Sequence, residues 1–95
     1  MNVYVGIQEC EGRIIGSTSL KEKRRVIKSG ISRIQHRFNL SVAEVGFQDD
    51  RQRTRLAMAG VGSSKKVVEQ ELRQALRLLE ELDGLEILHA ELSFV

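Results

Sequence analysis

Apolar and polar residues alternate along four segments of the chain, and this period of two predicts strands. The first predicted strand covers residues 2–9, and the glycines after it predict a loop over residues 10–18. An extension of the strand through Arg13–Ile15 is the alternative to that loop. The other strands are predicted over residues 40–47, 53–61 and 85–95, with a polar turn at 48–53. The positions predicted to face the core are Val3, Val5 and Ile7 in the first strand, Leu56 and Met58 in the third, and Leu88, Ala90, Leu92 and Phe94 in the fourth.

Two further segments have apolar residues at helical spacing. Ser19 and Glu22 form an S-x-x-E capping box, which predicts that the first helix begins at Ser19, and Asn39 predicts its end. The second helix is predicted over residues 64–82, with Asp83–Gly84 as its stop. The apolar stripes are Leu20, Ile27, Ile31, Ile34 and Phe38 in the first helix, and Val68, Leu72, Ala75, Leu79 and Leu82 in the second.

The predicted order is strand, helix, strand, strand, helix, strand. Right-handed crossovers through the two helices turn this order into an α+β, ferredoxin-like βαββαβ sandwich. We therefore expect residues 1–95 to form a single domain, with a four-stranded antiparallel sheet and two helices on one of its faces. The other face would be open to water or to a partner.

Composition places the chain among small folded proteins. It has 95 residues, of which 41% are hydrophobic and 29% are charged. No apolar run approaches the roughly 20 residues that cross a bilayer, and the N-terminus lacks the features of a signal peptide. Cys10 is the single cysteine, so no internal disulfide can form. A cytoplasmic location is the expectation from these features.

Charge is unevenly distributed along the chain. The net charge is +2, yet residues 19–55 carry ten basic and four acidic side chains, and the rest of the chain has an excess of acids. Such asymmetry is typical of a protein with one surface that attracts anions. Chance variation in a small domain is the alternative explanation.

The first predicted helix concentrates this basic charge. Lys21, Arg24, Arg25 and Lys28 recur at i, i+3, i+4 and i+7, so they share one side of the helix, called the basic flank below. Cations in the first half of a helix oppose its macrodipole, whereas a bound phosphate would make them favourable. RNA or another polyanion, a solvated surface and a protein partner remain the three interpretations. Lys23, Arg33 and Arg37 fall on the opposite side of the apolar stripe.

A second basic row lies at the predicted hairpin. Arg51, Arg53 and Arg55 recur with period two, and the last two would lie on the open face of the sheet. Ion pairs with Glu44 on the neighbouring strand are the structural alternative. The candidate nucleic-acid-binding residues are Lys21, Lys23, Arg24, Arg25, Lys28, Arg51, Arg53 and Arg55.

The sequence offers little for catalysis. His36 and His89 stand without metal-ligand spacing to other ligands, and Asp49–Asp50 is explained by turn chemistry. We therefore predict a non-enzymatic protein with no cofactor or metal. Single-stranded RNA binders of the sheet type stack bases on aromatic residues, but Tyr4 is the one aromatic residue expected on the open face. Recognition of RNA would then use its backbone or shape.

Three stretches of the chain, SLKEKRRVIKS (19–29), RFNLSVAEVGFQDD (37–50) and RLAMAGV (55–61), resemble the YlxP-like family of small bacterial proteins of unassigned function. The resemblance implies a ferredoxin-like fold, a cytosolic bacterial protein, and genes often placed among those for translation and ribosome maturation. Relatives commonly have Trp where Arg51 stands, so the hairpin is more cationic here. The matching positions are Ser19, Leu20, Lys21, Glu22, Lys23, Arg24, Arg37, Phe38, Asn39, Val42, Glu44 and Gln52.

Two hypotheses of function follow. The first is an RNA- or ribosome-associated binding module that uses the basic helix. The second is a protein-interaction or dimerisation module that uses the open face of the sheet, where Val42 or Ala57 would be exposed. No membrane partner is expected.

Overall fold

The computed structural model describes residues 2–16 and 19–95, and residues 17 and 18 of the predicted loop lie outside this part. Its four strands form one antiparallel sheet in the order β2-β3-β1-β4. This arrangement confirms the ferredoxin-like α+β fold. The elements are β1 (Tyr4–Ile14), α1 (Leu20–Arg37), β2 (Ser41–Gly46), β3 (Arg53–Gly62), α2 (Lys65–Glu80) and β4 (Leu85–Phe94).

Strand β1 differs from its prediction in length and in orientation. It continues to Ile14, so the loop predicted from residue 10 is wrong and the extension is confirmed. The helices cover its even-numbered residues, and the prediction that Val3, Val5 and Ile7 face the core is therefore wrong. Gly6 explains this choice, because a Cβ at this position would lie 2.7 Å from Leu72 Cδ1 of α2. Small residues on this face allow α2 to pack closely against the strand.

Helix α1 begins at the predicted cap, and α2 begins after Ser64, the first residue of its predicted range. Ser19 Oγ accepts a hydrogen bond from the Glu22 amide at 3.2 Å, and Ser64 Oγ accepts one from the Val67 amide at 3.3 Å. Helix α1 ends with Phe38 as its C-cap, one residue before the predicted stop. The predicted core positions Ile27, Ile34, Leu56, Met58, Val68, Leu72, Ala75, Leu79 and Leu82 are buried.

Strand β4 contains a bulge that the alternation did not predict. Its register against β1 shifts between Glu11 and Gly12, which pair with His89 and Ile87. Leu88 is therefore 53% exposed instead of facing the core. The predicted positions on the far side of the bulge, Ala90, Leu92 and Phe94, do pack against the core.

The uncovered face of the sheet is called the open face. Ala57 lies on it, opposite Glu9 of β1 and Ala43 of β2, as predicted. Val42 does not, because it pairs with the buried Met58 and packs against the core. Within the described residues, neither helix is long and apolar enough to cross a membrane.

Candidate nucleic-acid interface

The basic flank lies on the outer side of α1. Lys21, Arg24, Arg25 and Lys28 are all exposed, and together with two serines they line a shallow depression of about 490 Å³. Within the described part of the chain, none of the four forms an ion pair. The flank is therefore a cluster of unpaired cations on one side of a helix.

The position of this cluster on the helix is electrostatically unfavourable. Glu22 is the one acidic side chain in the first turn, where the helix dipole favours negative charge. The pairs Lys21/Arg25 and Arg24/Lys28 also place like charges four residues apart, at a cost of a few tenths of a kcal/mol each. An anion bound at the flank would reverse both effects, because it attracts the cations and the helix N-terminus alike.

Lys23 does not belong to this surface. Its side chain is 0% exposed, and its ammonium group donates hydrogen bonds to the carbonyl oxygens of Phe47 and Asp50, the latter at 2.6 Å. Glu44 Oε2 lies 3.3 Å from Lys23 Nζ and also accepts a hydrogen bond from Thr54 at 2.6 Å. The prediction that Lys23 contacts nucleic acid is wrong, because the chain itself uses all of its donors.

Helical spacing contained a signal for this burial. Lys23 precedes Ile27 by four residues and Ile34 by eleven, so it lies on the edge of the stripe that faces the sheet. Glu44 is the acidic residue of the short strand β2, directly opposite Leu56. Two opposite charges at core-facing positions of adjacent elements indicate a buried pair, because an unpaired charge is costly there.

The hairpin between β2 and β3 is held by its own backbone and by Lys23. Phe47 has a left-handed backbone with φ of 57°, and Asp50 Oδ1 accepts hydrogen bonds from the Gln52 and Arg53 amides at 2.8 and 3.0 Å. These two bonds hold the pKa of the Asp50 carboxyl below its ordinary value. The predicted turn at residues 48–53 is confirmed.

Two of the hairpin arginines, Arg53 and Arg55, do not join the flank. Arg53 and Arg55 lie on the open face, opposite Arg13 and Glu11 of β1, whereas the helices cover the other face of the sheet. Arg53 Nη2 is 3.0 Å from Glu11 Oε1, and its guanidinium lies over the Phe47 ring at 4.1 Å. The expected pairing of these arginines with Glu44 is wrong, because Glu44 points toward Lys23. Arg51 is exposed in the loop before β3.

The aromatic residues offer no stacking surface on the sheet. Tyr4 pairs with Gly62, and a Cβ added at Gly62 would contact Val68 of α2 at 3.0 Å, so both residues lie on the helix-covered face. The prediction that Tyr4 lies on the open face is therefore wrong. Each phenylalanine has a cation over its ring: Arg37 over Phe38, Arg53 over Phe47 and Lys65 over Phe94.

Beside the flank, a groove runs between α1 and α2. Arg33 and Arg37 of α1 border a cavity of about 350 Å³ that Glu81 also lines. An adjoining cavity of about 250 Å³ connects Arg25 to Arg33. The flank therefore borders further cations, which sequence reasoning placed on a separate side of the helix. Two carboxylates line the groove, Glu81 at the C-cap of α2 and Asp83 after it.

The other side chains that could take part in chemistry are buried or hydrogen-bonded. Cys10 is 2% exposed, and burial raises the pKa of its thiol to about 11. His36 Nδ1 donates a hydrogen bond to the Ser32 carbonyl oxygen at 2.7 Å. Among the described residues, no cluster of three potential ligands could hold a metal ion.

The fold and the flank define a small ferredoxin-like α+β protein with a basic helix. The chain belongs to the family described as "protein of unknown function (DUF503)", whose sequence pattern matches residues 5–92. It is 42% identical over 82 residues to the "uncharacterized protein YlxP" of Bacillus subtilis strain 168, and the match covers 86% of this chain and 89% of that protein. The resemblance to the YlxP-like family is thus confirmed.

Proposed function

We propose that the protein is a non-catalytic binding module of the bacterial cytoplasm, which associates with RNA or the ribosome through the basic flank. The observation that carries the proposal is the cluster of four exposed, unpaired cations in the first half of α1. A phosphate backbone supplies the negative charge that this end of the helix attracts. Each phenylalanine ring already has a cation over it, which supports recognition of the RNA through its backbone and shape instead of through base stacking.

The proposal predicts how steeply the affinity for RNA falls as the salt concentration rises. Four phosphate contacts predict that affinity falls with a slope of about −3 in log–log form, which is about 50- to 150-fold between 50 and 200 mM salt. If only two phosphate contacts remain, the affinity for RNA falls only about tenfold between the same salt concentrations. The slope therefore counts the cations that engage the RNA.

The test reverses two charges of the flank. The R24E/R25E variant is compared with K65E/K66E, which makes the same charge change in the first turn of α2 on exposed lysines. Filter-binding of a structured RNA at several salt concentrations is the measurement. We expect R24E/R25E to lose most of the binding and about half of the slope, and K65E/K66E to lose little of either. Equal losses in the two variants would refute a site on the flank.

Association with the ribosome is tested with the same pair of variants. Wild-type protein should sediment with ribosomal subunits at low salt and be released at high salt, because its contacts are electrostatic. R24E/R25E should remain in the supernatant at both concentrations. If all three proteins sediment alike, the ribosome is bound through another surface.

A second candidate function is self-association through the open face. Val61 of this face is 61% exposed, and the partly exposed Val5 and Ile7 lie beside it on β1. Exposed apolar surface of this kind marks interaction sites. V61E should reduce the mass found by light scattering at high concentration. V67E should not, because Val67 is equally exposed, at 60%, but lies on α2 in the helix layer and not on the open face. A wild-type protein that is monomeric at all concentrations contradicts this function.

A further inference from the structure

The open face carries opposite charges on its two halves. Strands β2 and β3 contribute arginines, Arg53 and Arg55, together with small or apolar residues. Strands β1 and β4 contribute Arg13 and an excess of acids. The acids of this half are Glu9, Glu11, Glu86 and Glu91. The boundary between the two halves is the seam between β3 and β1.

Three charges on this face have no opposite partner among the residues that the structure describes. Glu9 of β1 pairs directly with Glu91 of β4, and like charges in that position are destabilising. Arg55 forms no ion pair within the described residues, because its cross-strand neighbour Glu11 binds Arg53. The chain therefore presents an unrelieved acidic pair on one side of the seam and an unpaired arginine on the other.

We infer that the partner of the open face is a second copy of this chain, related by a two-fold axis that runs along the seam between β3 and β1. This inference rests on the second candidate function above and specifies its geometry. The rotation places β3 of each copy over β1 of the other, at the same position along the strands. Arg55 of each copy then lies opposite Glu11 of the partner subunit and about 7 Å along the strand from its Glu9, and the two contacts are equivalent by symmetry.

Side-chain size agrees with this arrangement. In the register of the sheet, Ala59 lies opposite Ile7 and Val61 opposite Val5. The same pairs meet again between the copies, so that Ala59 of one copy packs on Ile7 of the other and Val61 packs on Val5. At the end of the face, Arg13 of one copy meets Arg53 of the other, and each keeps a carboxylate of its own chain, at 2.7 and 3.0 Å.

The available area suits a dimer of moderate strength. A strand of ten residues is about 33 Å long, and four strands span about 19 Å. Each copy would then bury about 600 Å², and the total of about 1,200 Å² is at the lower end for specific interfaces. A concentration-dependent equilibrium between monomer and dimer is the expected behaviour.

A charge exchange tests the axis. R55E places like charges against the acids of a second R55E chain, and E9R does the same against Arg55 of a second E9R chain. An equimolar mixture restores opposite charges at both symmetric contacts. Sedimentation velocity should show dimerisation at least tenfold weaker for each variant alone, and recovery in the mixture of a species twice the 10.7 kDa monomer mass.

The possible results separate this inference from the functions proposed above. Recovery in the mixture supports the axis. If V61E disrupts a wild-type dimer but the mixture does not recover, the open face is an interface and this axis is wrong. If wild-type protein is monomeric, both the axis and the second candidate function are wrong. The RNA-binding proposal is independent of all three results, because the basic flank lies on the opposite layer of the fold.

Discussion

The replacement of Lys23 by Met directly tests the ion pair between Lys23 of α1 and Glu44 of β2. The substitution keeps the apolar length of the side chain and removes its charge. It leaves Glu44 as a carboxylate that is 18% exposed, with Thr54 as its remaining hydrogen-bond donor among the described residues. It also leaves the carbonyl oxygens of Phe47 and Asp50 without the ammonium group. The cost is therefore dominated by groups that lose their partner.

The magnitude follows from the burial of the pair. Breaking a buried ion pair by removal of one partner costs about 3–5 kcal/mol, and the Lys23 side chain is 0% exposed. A domain of this size has a total stability of about 5–15 kcal/mol. We therefore expect Lys23→Met to lower the free energy of unfolding by about 3–5 kcal/mol and Tm by at least about 12 °C.

The assay is urea unfolding followed by far-UV circular dichroism. Lys28→Met is the matched control, since Lys28 is exposed on the same helix and its loss should change stability by less than about 0.5 kcal/mol. Glu44→Gln and the double variant complete a double-mutant cycle, in which the double variant should lose less than the sum of the single ones. A Lys23→Met protein as stable as the Lys28→Met protein would refute the assignment of a buried ion pair.

Two further predictions concern buried polar groups of β1. Gln8 is 3% exposed, and within residues 2–16 and 19–95 its Oε1 atom has no hydrogen-bond partner. Gln8→Met should therefore raise the free energy of unfolding in urea by about 1 kcal/mol, whereas the exposed Gln70→Met should not. A loss of stability in Gln8→Met would contradict this. Burial raises the pKa of Cys10 from 9.0 to about 11, so the stability it contributes is present below pH 9 and is lost as pH rises toward 11. Cys10→Ala should therefore show a smaller decrease in Tm between pH 8 and 10.5 than wild type, and identical decreases would speak against a buried neutral thiol.

The order of elements was predictable because it depends on local chemistry. The caps at Ser19 and Ser64 need only a side-chain oxygen and the next amides, and the hairpin needs only the turn residues around Asp50. The choice of face in β1 was not predictable from alternation. An alternation with period two divides a strand into two faces but does not indicate which face the helices cover. In β1 the helices cover the face that contains Gly6, where the missing Cβ allows α2 to approach the strand closely.

The composition of the candidate site was predictable only in part. The spacing of Lys21, Arg24, Arg25 and Lys28 fixed their common side, because helix geometry is local. Helical spacing indicated that Lys23 is buried, but the carbonyl oxygens that accept hydrogen bonds from it lie in a loop about 24 residues away in sequence. Local sequence does not place that loop against α1. The separation of Arg55 from the flank likewise depends on the layers of the fold, which become defined only when helices and sheet pack.

The two proposed surfaces lie on opposite layers, and this has a consequence for RNA binding. A dimer closed through the open faces leaves both basic flanks on its outer sides. Phosphate contacts from a single flank give weak, non-specific binding. An RNA that reaches both flanks binds more tightly, because the second flank is held near it at a high effective concentration. V61E should therefore weaken binding to a long RNA by tenfold or more and leave binding to an RNA too short to reach both flanks unchanged. V67E should bind both RNAs like wild type. If V61E and V67E retain the long RNA equally well, each copy binds independently and the dimer has no part in the interaction.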